Sequence, residues 1–217
     1  MKNSVKIKAV LFDIDNTLVD FATMKKKCCE AAIDAMISVG FKMKKEKALE
    51  ILYALYEKYG IEYQRIFQKF LENVDKKIDY RVMAHGILAY RKMKENHILP
   101  YPNTRKTLSK LRKKYKLAVI SDAPRLQAWL RLAELDMDKF FDFVVTAGDV
   151  RKQKTYSAPF KAALRLLKIK PGEALMVGDR VPRDIITAKK LGIKTCFARY
   201  GAKPYGTEGD SGGADFE

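Results

Sequence analysis

Residues 10–20 read Val10-Leu11-Phe12-Asp13-Ile14-Asp15-Asn16-Thr17-Leu18-Val19-Asp20, and this stretch decides the fold. A short apolar run gives way to two carboxylates and then to Asn16 and Thr17. Apolar runs bounded by polar, turn-prone residues read as buried strands. An unpaired carboxylate inside a core is costly. Asp13 and Asp15 therefore belong at the strand's C-terminal end, the edge where open α/β sheets bind ligands. A strand that merely closes in an acidic turn would look the same in isolation, so the rest of the chain has to decide.

Val5 to Asp13 is the expected first strand. From about Phe21 to Asn96 the chain is rich in Lys, Glu, Ala, Leu and Met and contains no proline. Four helices are expected there: Met24 to Val39, closed by Gly40; Lys44 to Tyr59, with Ala48, Leu52, Leu55 and Tyr59 on one stripe; Tyr63 to Val74; and Arg81 to Glu95. Short connections imply antiparallel neighbours. Pro100 and Pro102 end the helical character. Strands and helices then alternate. Asn103 is expected to cap a helix over Arg105 to Lys114. Strands follow at Leu117–Ile120, Phe143–Thr146, Ala174–Val177 and Ile193–Ala198, with helices at Arg125–Leu135, Ala158–Leu167 and Arg183–Leu191. Such alternation predicts an α/β fold with a doubly wound parallel sheet and right-handed crossovers. The expected division is a discontinuous core of residues 1–20 and 100–217, with a four-helix domain, residues 21–99, inserted after the first strand. Glycine-rich Arg199 to Glu217 reads as loop. Its last four residues look like an element that stops, as if the chain were shortened.

Composition narrows the function. The 217 residues carry a formal net charge of +17, which suits anionic partners such as phosphorylated metabolites or nucleic acid. The basic clusters are scattered, and none has the spacing of a zinc finger or an RNA-binding ribonucleoprotein motif, so nucleic acid is the less favoured partner. The cysteines Cys28, Cys29 and Cys196 are odd in number and lack ligand spacing, which argues against a disulfide framework or a zinc site. Reduced thiols fit the cytoplasm. Asp13 interrupts the first apolar run too early for a signal peptide, and no segment reaches the length of a membrane span. Cys28, Cys29 and Trp129 read as packing residues; His85 and His97 read as structural or surface residues. Oligomeric state is not legible.

Four strand ends carry polar residues in turn: Asp13 and Asp15; Ser121 and Asp122; a lysine cluster with Lys152 and Lys154; and Asp179 with Asp184. In a parallel sheet these ends meet on one edge. Acidic groups with a hydroxyl and a lysine make a Mg²⁺ and phosphate site, because hard oxygen ligands suit Mg²⁺. These segments together resemble the haloacid dehalogenase superfamily, in its phosphatase branch with a helical cap inserted after the first motif. DIDNTLVD resembles the first motif, ISD the second and GDRVPRDI the fourth. Lys154 falls where the third-motif lysine is expected. Thr155 follows it where a proline is common, which keeps Lys152 as an alternative.

The resemblance implies a Mg²⁺-dependent phosphatase acting on a small phosphorylated metabolite. Asp13 would be the nucleophile, forming an aspartyl-phosphate. Asp15 would act as general acid and then general base. Asp13, Asp179 and the backbone carbonyl of Asp15 would bind the metal, and Asp184 would support it from the second shell. Ser121 and Lys154 would bind the phosphoryl group. A carboxylate and a phosphate charge about 4 Å apart repel by about 4 kcal/mol at an effective dielectric of about 20; a lysine and a cation would offset this. Alternatives are a sugar-phosphate mutase of the same superfamily, which shares all four motifs, and a non-catalytic member binding nucleic acid.

Overall fold

The computed structural model describes residues 6–75, 77–203 and 206–217. The chain divides into two compact units, Met1–Phe21 with Leu99–Glu217, and Ala22–Ile98.

The first unit is built on a five-stranded sheet of β1 (Ala9–Phe12), β2 (Lys116–Ser121), β3 (Phe143–Thr146), β4 (Ala174–Gly178) and β5 (Lys194–Phe197). Its order is β3-β2-β1-β4-β5, and all neighbours are parallel. A parallel sheet is covered on both faces, so its central strands read as unbroken apolar runs. That is why every residue of β1 is buried. Ala9 and Leu11 join Ala118, Ile120 and Met176 in a core closed by Phe160, Ala163, Leu164 and Leu167. The last four lie on a helix, Ala158–Leu167, at helical spacing. The chain runs outward from β1 to β2 and β3, then returns to the other side for β4 and β5. This reversal makes a crevice beside the C-terminal end of β1, the usual ligand position in such sheets.

Several boundaries differ from expectation. β1 begins at Ala9 rather than Val5, which lies outside the described residues. Asn103 takes the left-handed conformation (φ 64°) and makes no side-chain cap to the helix Thr104–Arg112. Directly after β3 comes a single helical turn, Ala147–Val150, closed by a reciprocal capping box between Thr146 and Asp149. The expected helix Arg183–Leu191 starts as a π-helical turn, Val181–Ile185, in which Ile186 N donates to Val181 O, before the α-helical Ile186–Lys190. The tail is not all loop. Arg199–Ala202 is helical. Phe216 pairs with the outer edge of β5, donating to Thr195 O at 3.0 Å and accepting from Phe197 N at 2.8 Å. An open sheet edge attracts such pairing, and Asp215 reinforces it by accepting from Thr195 N at 3.0 Å.

The second unit is helical. Its helices are Phe21–Ser38 (which begins one residue earlier, in the first unit), Lys45–Tyr59, Ile66–Asp75 and Tyr80–His97. Ala48, Leu52, Leu55 and Tyr56 form the buried stripe of the second helix, so Tyr56 takes the place expected of Tyr59. They pack with Cys29, Ile33, Met36, Phe70 and Leu71. Cys28 is buried as well. Asp79 caps the fourth helix, accepting from Arg81 N and Val82 N. His85 is exposed, and His97 Nδ1 lies 3.1 Å from Met93 O on its own helix. Among the described residues no helix is long and apolar enough to cross a membrane.

Candidate active site

Asp13 continues β1 by donating its backbone N–H to Val177 O of β4 at 3.0 Å. The chain then turns sharply: Leu18 N and Val19 N both donate to Ile14 O, and Asn16 adopts a positive φ of 58°. Asn tolerates this conformation better than most residues. The turn leaves the Asp13 side chain at the sheet edge while Ile14 is fully buried.

Residues that follow two other strands meet it. Lys154, after β3, places Nζ 2.6 Å from Asp13 Oδ1 and 2.6 Å from Asp184 Oδ1. Carboxylate oxygens of Asp13, Asp179 and Asp184 all lie within 4.8 Å of one another. Asp179 follows β4 directly, and its Oδ1 lies 3.5 Å from Thr17 Oγ1. Asp184 reaches the cluster because the π-helical turn redirects it, with Oδ2 accepting from Arg180 N at 3.0 Å. The lack of a side chain at Gly178 makes room: a Cβ there would fall 2.4 Å from Asp184 Cγ.

The charge balance of the cluster is uneven. Burial pushes the Asp13 carboxyl above the usual range; Lys154 opposes this, and the charge of Asp15 adds to it. Asp179 is pushed up to about 9 by burial, then by Asp13 and Asp184. Asp184 is raised to about 6, again chiefly by burial, with Lys154 opposing. Burial would lower the Lys154 ammonium, but Asp13, Asp184 and Asp122 outweigh it and hold Lys154 charged. One ammonium thus serves three buried carboxylates. Asp179 Oδ2 is buried and has no hydrogen-bond partner among the described residues. An orphaned carboxylate oxygen in an all-oxygen, over-acidic cluster fits a hard divalent cation.

Ser121 is buried at the end of β2, and its Oγ accepts from Ala123 N at 3.1 Å. Lys152, the alternative to Lys154, is exposed and lies over the Tyr156 ring at 4.7 Å. Asp15 stands apart from the acidic cluster. Its Oδ2 accepts from Arg131 Nη1 at 2.9 Å. Trp129 is not a packing residue; it is 43% exposed, because the buried face of its helix is Ala128, Arg131 and Leu132. Arg131 is a residue that motif reading missed, although a cation on an apolar stripe at helical spacing is a visible signal. Asp122, read from the sequence as part of the second motif, proves to be a tie between segments: its Oδ1 accepts from Lys154 N at 2.8 Å and its Oδ2 from Arg183 Nη1 at 3.2 Å. Gly201 is a second residue that motif reading missed: a Cβ there would fall 1.7 Å from Asn16 O.

The model of haloacid dehalogenase-like hydrolases matches residues 10–198. The chain belongs to this family. A glyceraldehyde 3-phosphate phosphatase of Pyrococcus furiosus is 34% identical over 197 residues, covering 90% of this chain and 82% of that protein. Among solved structures, a phosphatase of the same family from Thermococcus onnurineus is 27% identical, with a TM-score of 0.66 over 88% of this chain and 86% of that one. A putative beta-phosphoglucomutase from Thermotoga maritima superposes with a TM-score of 0.70 over 88% and 85% at 22% identity, a likeness of fold alone. The acidic cluster with its lysine therefore sits on the scaffold of a hydrolase family.

Proposed function

We propose that this chain is a Mg²⁺-dependent phosphatase of a small phosphorylated metabolite, acting through a covalent intermediate on Asp13. The observation that carries this is Lys154 Nζ at 2.6 Å from Asp13 Oδ1, beside two further buried carboxylates at the end of β1. A carboxylate held at a sheet edge beside a fixed ammonium can approach a phosphate that would otherwise repel it. The name of the Pyrococcus furiosus relative, at 34% identity, makes a triose phosphate such as glyceraldehyde 3-phosphate the first substrate to test. Likeness to a mutase rests on fold alone and adds no support for phosphoryl transfer between sugars.

In this mechanism a carboxylate oxygen of Asp13 attacks phosphorus. The bond to the leaving oxygen breaks, and Asp15 supplies the proton that makes it an alcohol. Asp15 then takes a proton from a water as that water attacks phosphorus. The acyl-phosphate bond breaks, inorganic phosphate leaves and Asp13 is restored. Lys154 and the Ser121 hydroxyl hold phosphoryl oxygens. Asp13, Asp179 and the Asp15 carbonyl would hold Mg²⁺, with Asp184 steadying Lys154 and the ion's surroundings. When bound, the ion supplies positive charge against the phosphate.

Asp13→Asn tests the assignment on p-nitrophenyl phosphate and glyceraldehyde 3-phosphate, with and without Mg²⁺. Loss of a covalent nucleophile removes at least about 10³-fold of turnover. Retained activity would overturn the reading. Salt-dependent binding of DNA or RNA with no turnover of any ester would replace it.

A further inference from the structure

The edge of the sheet opposite the acidic cluster carries a feature that the proposed reaction does not use. Where the strands begin, a hollow of about 570 Å³ is lined by Lys6, Lys8, Arg112, Lys114 and Lys116, with Asp142 as the carboxylate among them. Basic clusters that look scattered in the sequence are here brought together. Residues 6–8 lead into β1, residues 112–116 close the helix Thr104–Arg112 and open β2, and Asp142 immediately precedes β3. β1 and β2 are parallel neighbours with Ala9 beside Lys116, and Lys116 N donates to Lys8 O at 3.1 Å. Part of the charge is accounted for. Arg112 pairs with Asp142 at 3.0 Å, and Asp142 Oδ2 also accepts from Leu117 N at 2.9 Å. Lys8 pairs with Glu173 at 2.5 Å. Lys110 and Arg112 stand in the last turn of their helix, where cations complement the helix dipole. What is left is Lys6, Lys114 and Lys116. All three are exposed, and none is in an ion pair among the described residues. Lys116 Nζ donates to a carbonyl, Leu167 O, at 3.3 Å. Three ammonium groups around one hollow repel one another, and the carboxylate of its lining is already engaged.

We propose that this hollow binds a short polyphosphate chain, free or as the tail of a nucleotide, at a site separate from the acidic cluster. A concave surface lined by charges of one sign focuses the field and concentrates ions of the opposite sign. Lysine meets phosphate oxygens as a point charge, and the volume is that of a small-ligand site. The three lysines come from three places on the rim: before β1, after the helix, and at the start of β2. A ligand with several charges engages more of them than a single orthophosphate does. Binding relieves the repulsion among the ammonium groups and raises the melting temperature. The rim is exposed, so affinity falls as salt is added. The inference goes beyond the catalytic reading and does not depend on the role of Asp13.

Tripolyphosphate is the probe, titrated calorimetrically into the full chain in metal-free buffer at about 50 mM NaCl, where exposed charges are weakly screened. The double variant Lys6→Glu, Lys114→Glu is compared with Lys27→Glu, Lys42→Glu, two exposed lysines outside the hollow whose replacement changes the net charge equally. The first is expected to lose at least about 10-fold in affinity and the second under about 3-fold, because charges beyond a Debye length are screened. Equal losses for the two, or none for the first, overturn the proposal, since the charge would then act through the whole surface. Turnover of p-nitrophenyl phosphate is followed in the same variants and should be unchanged. A fall in turnover that tracks the fall in affinity would place the probe at the acidic cluster and also overturn the proposal. If the wild type turns over no ester, the catalytic reading fails and the binding result stands by itself. Should the Glu variant not fold, Lys6→Gln, Lys114→Gln decides by the same comparison against Lys27→Gln, Lys42→Gln. Adenosine triphosphate run beside the probe separates the two sources of such a chain. Affinity equal to or above that of tripolyphosphate makes a nucleotide the ligand, and weaker affinity makes it the free oligophosphate; either supports the proposal. Single-stranded DNA of about twenty nucleotides is the last arm. If it binds more tightly per phosphate than tripolyphosphate and is lost in the first variant, the surface is a nucleic-acid track and the small-ligand site falls.

Discussion

The carboxylate of Asp122 accepts a hydrogen bond from the backbone N–H of Lys154 at 2.8 Å, although the two lie 32 residues apart. The residue after β2 therefore ties down the loop after β3 that brings Lys154 to Asp13. The other oxygen of Asp122 pairs with Arg183 at 3.2 Å, in the π-helical turn that also carries Asp184. Three of the four strand-end segments are thus linked through one side chain.

Asp122→Ala should therefore act on Lys154 at a distance. It leaves the Lys154 N–H without its acceptor, a loss of about 1–3 kcal/mol in a buried setting. Asp122→Asn keeps an oxygen for that N–H and loses only the ion pair, which is partly exposed and contributes about 1 kcal/mol or less. The expected order in denaturant midpoint and in kcat is wild type, then Asn, then Ala. An Ala variant equal to wild type in both would remove the tether from the argument.

Replacing Lys154 itself should be harsher. Lys154→Met strands Asp13 and Asp184, both within 2.6 Å of the ammonium, in a buried site. Breaking a buried pair by removing one partner costs about 3–5 kcal/mol. A divalent cation would relieve part of this by neutralising the same carboxylates. Thermal melts of the variant should therefore respond to Mg²⁺ more strongly than those of the wild type, while turnover stays low.

What was legible in the sequence follows from locality. β1 to β4 could be read because a parallel sheet buried on both faces needs largely apolar runs, and β5, Lys-Thr-Cys-Phe, from its place in the alternation of strands and helices. Their polar ends could be read because a carboxylate such as Asp13 has no place inside such a run. Pairings across the chain left weaker marks. The bond from Arg131 to Asp15 and the docking of Phe216 on β5 depend on residues that only the folded chain brings together. The π-helical turn was hidden because its residues also suit an ordinary helix. Asn103 misled because residues that cap helices also tolerate the left-handed conformation it adopts.

The tail is expected to matter through Gly201. A Cβ at this position would fall 1.7 Å from Asn16 O and 2.9 Å from Asp179 Cβ. The first neighbour is backbone of the turn after Asp13, so it cannot swing aside. Gly201→Ala should cost about 1–3 kcal/mol of stability through overpacking and should lower kcat by displacing that turn. Gly209→Ala is the control, since a Cβ there meets nothing within 4 Å. Equal melting temperatures for the two variants would show that the tail does not hold the turn.

The acidic cluster sets a pH dependence whose sign can be worked out. Asp179 is raised to about 9 and Asp184 to about 6 by burial, with neighbouring carboxylates adding to both. A carboxyl with a higher pKa folded than unfolded binds its proton more tightly in the folded chain. Its stabilising contribution is complete below the unfolded value of about 4 and is lost as pH rises to the folded value. Without divalent cation, the contribution of these groups to the melting temperature should therefore fall between pH 5 and pH 9. A cation bound by the same oxygens competes with the protons and displaces them. The rise in melting temperature on adding Mg²⁺ should accordingly be larger at pH 9 than at pH 5. Asp179→Asn removes the most perturbed carboxyl, so its metal-free profile should be flatter and its response to Mg²⁺ smaller. Calorimetry at the two pH values, with EDTA or with Mg²⁺, checks all three. A Mg²⁺ response that shrinks with rising pH would mean that the ion, if it binds, does so elsewhere than at Asp13, Asp179 and Asp184.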